Sequence, residues 1–284
     1  STSSAFETPV PTKAAEISQR SDPTESSEPT ELITPTDQPV SYPDRQLEVS
    51  KLGWAYTAGG SEGKPAVNTD KRIEMCKRFG GIWQGDTSKK KIYITMDVGY
   101  EHNGNTAKIL DIARRKDFKI NFFIVGKLFT YPQYKELMLR IHNEGHVVAS
   151  HSWNHDMYDE MYKKSGTQAI MDDLKKVENA YFELTGSILP KYFRFPSAEY
   201  SEAALDAVHR AGYTSVFWSF SYREWLINDQ PDPEESMQNI ISNLHNGLIM
   251  LLHPVSDTNA AILSDLVDAI RARGYEIATL DEFE

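Results

Sequence analysis

The sequence predicts an α/β protein, a distorted parallel (β/α) barrel of about seven strands behind a disordered N-terminal arm. Three observations carry this reading. From residue 91 onward, short apolar runs alternate with helical patterns about seven times, with short links between them. Residues 1–46 instead hold 22 Ser, Thr or Pro residues and only Phe6 and Tyr42 as aromatics, which excludes a packed core there. Cys76 is the only cysteine, so neither a disulfide framework nor a cysteine-rich zinc site holds the fold, and burial must do so.

The elements follow in order. The arm, 1–46, cannot bury enough apolar surface to offset the entropy of ordering it. Its spaced prolines, Pro23, Pro29, Pro35, Pro39 and Pro43, predict an extended and partly stiff tether, although an ordinary tail with no spacing role fits the composition equally. Residues 47–90 carry Leu52, Trp54, Tyr56, Ile73, Phe79, Ile82 and Trp83 among Gly and Lys. They read as an irregular leader packed on the barrel, with one short helix near 68–79. Residues 91–284 form the main domain. Ile92–Thr95, Ile120–Val125, His146–Ala149, Tyr192–Phe195, Ser215–Trp218, Leu248–Leu252 and Glu276–Ala278 are its strands. Helices are predicted over 105–116, 133–143, 167–184, 202–210, 234–244 and 259–272, several of them closed by a glycine such as Gly145, Gly186 or Gly212.

Charge and hydropathy narrow the function. The formal net charge of −11, with no basic run to offset it, argues against a nucleic-acid partner. The aliphatic run Leu248–Leu252 is far too short to span a bilayer. No basic segment followed by an apolar core opens the chain, so any signal or anchor is expected outside it. No obligatory protein partner is evident.

In a parallel barrel, catalytic groups sit just after the C-terminal ends of strands. At those positions stand Asp97, the pair His151 and His155, Arg194, the stretch Ser219 to Trp225, and His253. A carboxylate, paired imidazoles, a guanidinium and a further imidazole suit metal-assisted attack of water on a carbonyl. On a helical turn, His151 and His155 would face the same way and could grip a divalent ion. Each residue also has a plainer reading. Asp97 can be a turn residue, Arg194 a surface ion-pair partner, His253 a hydrogen-bonded core histidine, and Trp153, Trp218 and Trp225 core packing. Their order along one rim favours the chemical reading.

That ordered set resembles the polysaccharide deacetylase (NodB-homology, carbohydrate esterase 4) family, whose motifs run Thr-Phe-Asp-Asp-Gly, His-Ser/Thr-x-x-His, Arg-x-Pro, Asp-x-x-Asp-Trp and Leu-x-His. Gly85–Lys90, Gly99-Tyr100-Glu101, Phe217-Trp218-Ser219 and Leu252–Ser256 with Asn259-Ala260 bring it nearest to the peptidoglycan N-acetylmuramic acid deacetylases of the δ-lactam-forming branch. The likeness covers roughly residues 48–284. It implies a NodB-type barrel that hydrolyses the N-acetyl amide of amino sugars in peptidoglycan or a related glycan, at the cell surface or outside the cell, with a divalent metal, zinc by preference. By the same resemblance Asp97 is the general base, His151 and His155 are metal ligands, Arg194 holds the base ionised, and His253 is the general acid. Ser197 supplies an oxyanion N–H from its backbone, while Trp225 and Leu251 line the sugar and acetyl pocket.

Three positions depart from the family pattern. The family's third metal ligand is replaced by Val98, which cannot coordinate a cation; Glu101, Asp156 or water would have to complete the shell. Ser221 stands where an aspartate is expected to tune the acid histidine, with Glu224 as its motif partner, so His253 is expected to lose carboxylate support. Ser197 and Ala198 follow the Arg-x-Pro motif in place of the usual larger residue and glycine. The alternatives are a deacetylase of N-acetylglucosamine or chitin-type chains, and a degenerate member that binds glycan without turnover.

Overall fold

The computed structural model describes residues 43–68 and 71–283, so most of the expected arm, 1–42, lies outside the described residues. The described chain runs β1 (Leu52–Gly53), α1 (Lys71–Arg78), β2 (Lys91–Val98), α2 (Asn105–Lys116), β3 (Asn121–Ile124), α3 (Lys135–Asn143), β4 (Val147–Ser150) and α4 (Tyr158–Thr185). It continues with β5 (Tyr192–Phe193), β6 (Glu199–Tyr200), α5 (Glu202–Arg210), β7 (Thr214–Ser215), α6 (Pro233–Ser242), β8 (Leu248–Leu252), α7 (Asp257–Ala272) and β9 (Glu276–Ile277).

Seven strands form one parallel sheet in the order β7-β5-β4-β3-β2-β8, with β9 against the start of β2. The two outer strands are linked through irregular backbone, where Ile82 bridges Val216 and Phe220 bridges Met250. β1 and β6 make a separate antiparallel pair.

β2 lies between β3 and β8 and is buried from Ile92 to Val98, as a parallel strand covered on both faces must be. Alternation along it sorts the side chains. Ile92, Ile94, Met96 and Val98 join the apolar cluster that contains Ile109, Leu110, Leu263 and Leu266 of α2 and α7. Tyr93 belongs to the other cluster, with Phe123, Ala149, Phe193, Ile249 and Leu251. Thr95 and Asp97 share the pleat of Tyr93, and this period-2 rule is what delivers a carboxylate to the barrel interior.

Helix starts are set by polar caps. The Asp232 side chain accepts from the N–H groups of Glu234 and Glu235 before Pro233 opens α6, and Ser201 and Ser256 cap α5 and α7. The chain of α4 differs from the expected helix over 167–184. Helix begins at Tyr158, and Gly166 interrupts it with φ 71° and ψ −169°. The Asp44 carboxylate accepts from the Thr167 N–H at 2.7 Å and so caps the second half. A Cβ on Gly166 would lie 2.7 Å from that carboxylate, which explains a glycine inside a helical pattern.

Arg45 pairs with Asp206 at 2.8 Å, and Arg210 donates to the Pro43 carbonyl at 2.9 Å. The last residues of the compositionally defined arm are therefore laid against α4 and α5. Composition averages over a window and does not register single charges with partners far along the chain. Replacing Asp44 by Ala removes a helix cap and is expected to cost about 1 kcal/mol of stability. Urea unfolding of Asp44→Ala checks this; an unchanged midpoint would show that the cap contributes nothing.

Candidate active site

Arg194 follows β5 and is wholly buried. Its Nη1 donates to Asp97 Oδ1 and to Thr95 Oγ1, each at 2.8 Å, and its Nε donates to the Val216 carbonyl at 3.0 Å. The guanidinium also stacks 4.0 Å from the Phe123 ring centroid. One side chain thus ties the end of β2 to the backbone beyond β7. Burial alone would push the Asp97 carboxyl up, but Arg194, His151 and His253 outweigh it and hold it below the usual carboxylate value.

His151 follows β4. Its Nδ1 donates to the Arg194 carbonyl at 2.9 Å, because a carbonyl can only accept, and Nε2 then keeps its lone pair 3.6 Å from Asp97 Oδ2. Burial brings its pKa down to about 4, so the ring is neutral near pH 7. His155 is not on a helical turn, as its spacing suggested. Residues 151–155 form turns, with Ser152 and His155 at φ 60° and 63°. The turns bring the two rings together another way, with centroids 5.0 Å apart at an angle of 79°. His155 is also lowered, chiefly by burial.

This donor set fits a divalent ion held by two imidazoles with its other positions open. His151 is locked in the ligand tautomer and His155 stands beside it. Val98 is 1% exposed within an apolar cluster and offers nothing. Glu101 is turned toward the start of α2, where Oε1 accepts from the Thr106 N–H at 3.3 Å, and its buried Oε2 has no hydrogen-bond partner among the described residues. Among the described residues, no group of three or more His, Cys, Asp or Glu side chains is arranged to hold a metal.

The opposite wall corrects the expectation about His253. Ser221 does not touch it; the Ser221 hydroxyl instead accepts from the Trp218 indole at 2.9 Å. Glu224, fully buried, accepts from both the backbone N–H and Nδ1 of His253, each at 2.9 Å. Burial lowers the His253 pKa, but the hydrogen bond and charge of Glu224 more than offset it, and the imidazole sits above the ordinary histidine value. Glu224 pairs through Nδ1, which leaves Nε2 for the cleft. The carboxylate support that sequence reasoning sought at Ser221 comes three residues later, because the loop turns Glu224 inward beneath His253.

Asp97, His151, His155, Ser197, Trp225, Leu251 and His253 all line one cleft of about 580 Å³, while Arg194 lies behind Asp97. Ser197 and Ala198 adopt φ 53° and 60°, the left-handed region, where the family pattern carries a glycine at the second position. Ala198 is held there by hydrogen bonds to Phe195 and from Trp54, at 3.2 and 2.9 Å. Trp225 is 45% exposed at the mouth, its ring centroid 5.7 Å from that of His253.

The leader contributes support that the motifs did not reveal. The Trp54 indole donates to the Trp218 carbonyl at 2.9 Å, and the Tyr56 hydroxyl accepts from the Ser221 N–H at 2.8 Å. The loop that carries Glu224 and Trp225 is thereby fixed from outside the barrel.

A polysaccharide deacetylase family model matches residues 84–216. Peptidoglycan-N-acetylmuramic acid deacetylase PdaA of Bacillus subtilis is 34% identical over 208 residues, covering 73% of this chain and 76% of the relative. The chain belongs to the polysaccharide deacetylase family. Among solved structures of the family, PdaA of Bacillus subtilis, described as a family 4 carbohydrate esterase, superposes with a TM-score of 0.77 at 28% identity over 84% of this chain and 98% of that one. A family 4 carbohydrate esterase from Bacillus anthracis gives a TM-score of 0.68 at 30% identity, with the same coverage. The family model ends at residue 216, so the segment that carries Glu224 and His253 is placed by the structure.

Replacing Glu224 by Gln removes the charge that raises His253. The His253 imidazole, followed by NMR, is then expected to titrate at lower pH than in the wild type. An unmoved titration would show that Glu224 does not tune it.

Proposed function

We propose that the protein is a metal-assisted deacetylase that hydrolyses the N-acetyl amide of amino sugars in peptidoglycan, with N-acetylmuramic acid favoured, and releases acetate. The observation that carries this reading is an opposed acid and base in one cleft. Asp97 is held ionised by Arg194 on the histidine wall, and Glu224 shifts His253 toward its protonated form on the other. Two groups whose surroundings push their pKa values apart can run both halves of an acyl transfer.

Asp97 takes a proton from the attacking water, while Arg194 keeps the carboxylate charged and fixed. The Ser197 N–H faces the oxygen that gains charge as water adds to the acetamide carbon. His253 then gives its proton to the departing nitrogen, the C–N bond breaks, and a free amine and acetate result. Trp225 and Leu251 flank the sugar ring and the acetyl methyl. A divalent ion on His151 and His155, zinc by its affinity for imidazole, supplies polarisation of the acetamide carbonyl when bound. The substrate places the enzyme at the cell wall or outside the cell; among the described residues no helix is long and apolar enough to cross a membrane.

The name of PdaA supports the muramic acid assignment, while Listeria monocytogenes PgdA, a peptidoglycan-N-acetylglucosamine deacetylase, is 28% identical and supports the same reaction on the neighbouring sugar. One observation favours a second reading, glycan binding without turnover: Val98 leaves two imidazoles where three protein ligands are usual. Ser221 no longer favours it, because Glu224 provides the missing carboxylate.

Acetate release from peptidoglycan glycan strands tests the proposal. Asp97→Asn is expected to lose at least about 100-fold in kcat, with glycan binding nearly intact. His253→Gln leaves the Arg194–Asp97 pair in place and is expected to show a comparable loss, which separates catalysis from folding. Unchanged release in either folded variant would contradict the assigned roles. A chelator is expected to stop release and added zinc to restore it; release that persists in the chelator would remove the metal from the account.

A further inference from the structure

Lys127 stands just beyond β3, on the histidine side of the cleft, and nothing in the proposed hydrolysis uses it. It is the one lysine or arginine among the described residues lining the cleft. Its backbone is pinned to the histidine-bearing turn. The Gly126 N–H donates to the Ser152 carbonyl at 2.9 Å, and the Lys127 N–H donates to the Trp153 carbonyl at 3.0 Å. A Cβ on Gly126 would lie 2.7 Å from Val177 and 3.0 Å from Trp153, so this close approach requires glycine and fixes the register. The Lys127 side chain is tied to the same turn, with Nζ donating to Asn154 Oδ1 at 2.5 Å. That partner is a neutral amide, and none of the ion pairs among the described residues involves Lys127. A protein of net charge −11 thus presents an un-neutralised ammonium in its cleft, held in fixed relation to His151 and His155.

We propose that Lys127 reads the lactyl carboxylate of the muramyl residue being deacetylated, and so selects N-acetylmuramic acid over N-acetylglucosamine. This rests on the deacetylase reading above. The two sugars differ only in the lactyl ether, which is carried on the ring carbon next to the one bearing the acetamide. With the acetamide over the histidine wall, the lactyl carboxylate on the neighbouring ring carbon is directed toward the ammonium tied to that same wall. N-acetylglucosamine offers a neutral hydroxyl there and gains no charge-assisted hydrogen bond. A muramyl residue whose lactyl group is an amide loses the charge as well, so Lys127 also favours muramyl residues with a free carboxylate.

The test compares kcat/KM for acetate release from three probes: glycan strands with free lactyl carboxylates, the same strands with those carboxylates amidated, and chitooligosaccharide. In Lys127→Met the preference for free muramyl strands over chitooligosaccharide is expected to fall about tenfold, mainly through KM, and Lys127→Arg is expected to keep most of it. Amidated strands are expected to lose the preference with the wild-type enzyme, and added salt to narrow it. A preference unchanged in Lys127→Met, or equal losses on both sugars, would overturn the role of Lys127 while leaving the deacetylase reading intact. Wild-type protein that releases acetate from none of the probes would overturn both.

Discussion

A guanidinium buried away from water must have its charge balanced and its donors used, and in this protein Arg194 meets both demands with groups from two parts of the barrel. Asp97 and Thr95 come from β2, and the Val216 and Phe217 carbonyls from beyond β7. Its own carbonyl then fixes the tautomer of His151. Removing one partner of such a pair typically costs roughly 3–5 kcal/mol, because the other charge is left buried and alone. Scaffold and chemistry therefore share one interaction. The contact that closes the interior also keeps the candidate base ionised and aims the candidate ligand.

Glu224 and His253 repeat this arrangement on the facing wall, with the charge assignment reversed in effect. There the buried carboxylate belongs to the support and the titrating imidazole to the cleft. The loop between β7 and α6 that carries Glu224 has little regular structure of its own. It is held by Trp54 and Tyr56 from the leader and by the Trp218 indole on Ser221. The leader is accordingly part of the site's framework, although Trp54 and Tyr56 lie outside the span matched by the family model. Lys127 extends the same logic, since its position is set by backbone bonds to the histidine turn rather than by the strand that precedes it.

The fold was largely legible in the sequence because alternating apolar runs and glycine-terminated helices carry local signals. Where reading stopped short, the cause was a contact distant in the chain. Helix before Gly166 was missed because its glycine is explained only by Asp44, some 120 residues earlier. The pairing of β1 with β6 has no local signature at two residues per strand. At the site, strand-end position found Asp97, His151, His155, Arg194 and His253, and all but the buried Arg194 line the cleft. Motif spacing missed Glu224 as the partner of His253, since spacing does not say which carboxylate a loop turns inward. Glu224 is legible as the motif partner of Ser221, but its position in the motif does not assign it to His253. Spacing also placed the two histidines on a helical turn, where positive φ angles at Ser152 and His155 build a different route to the same convergence.

The central claim is that Arg194 keeps Asp97 ionised inside the barrel in spite of its burial. Titration of the Asp97 carboxyl carbon by NMR in aspartate-labelled protein, assigned with Asp97→Asn, measures this directly. The account predicts a midpoint below that of an ordinary aspartate. A midpoint above the ordinary value would mean that burial wins over Arg194, and Asp97 would then be a protonated structural group rather than the base.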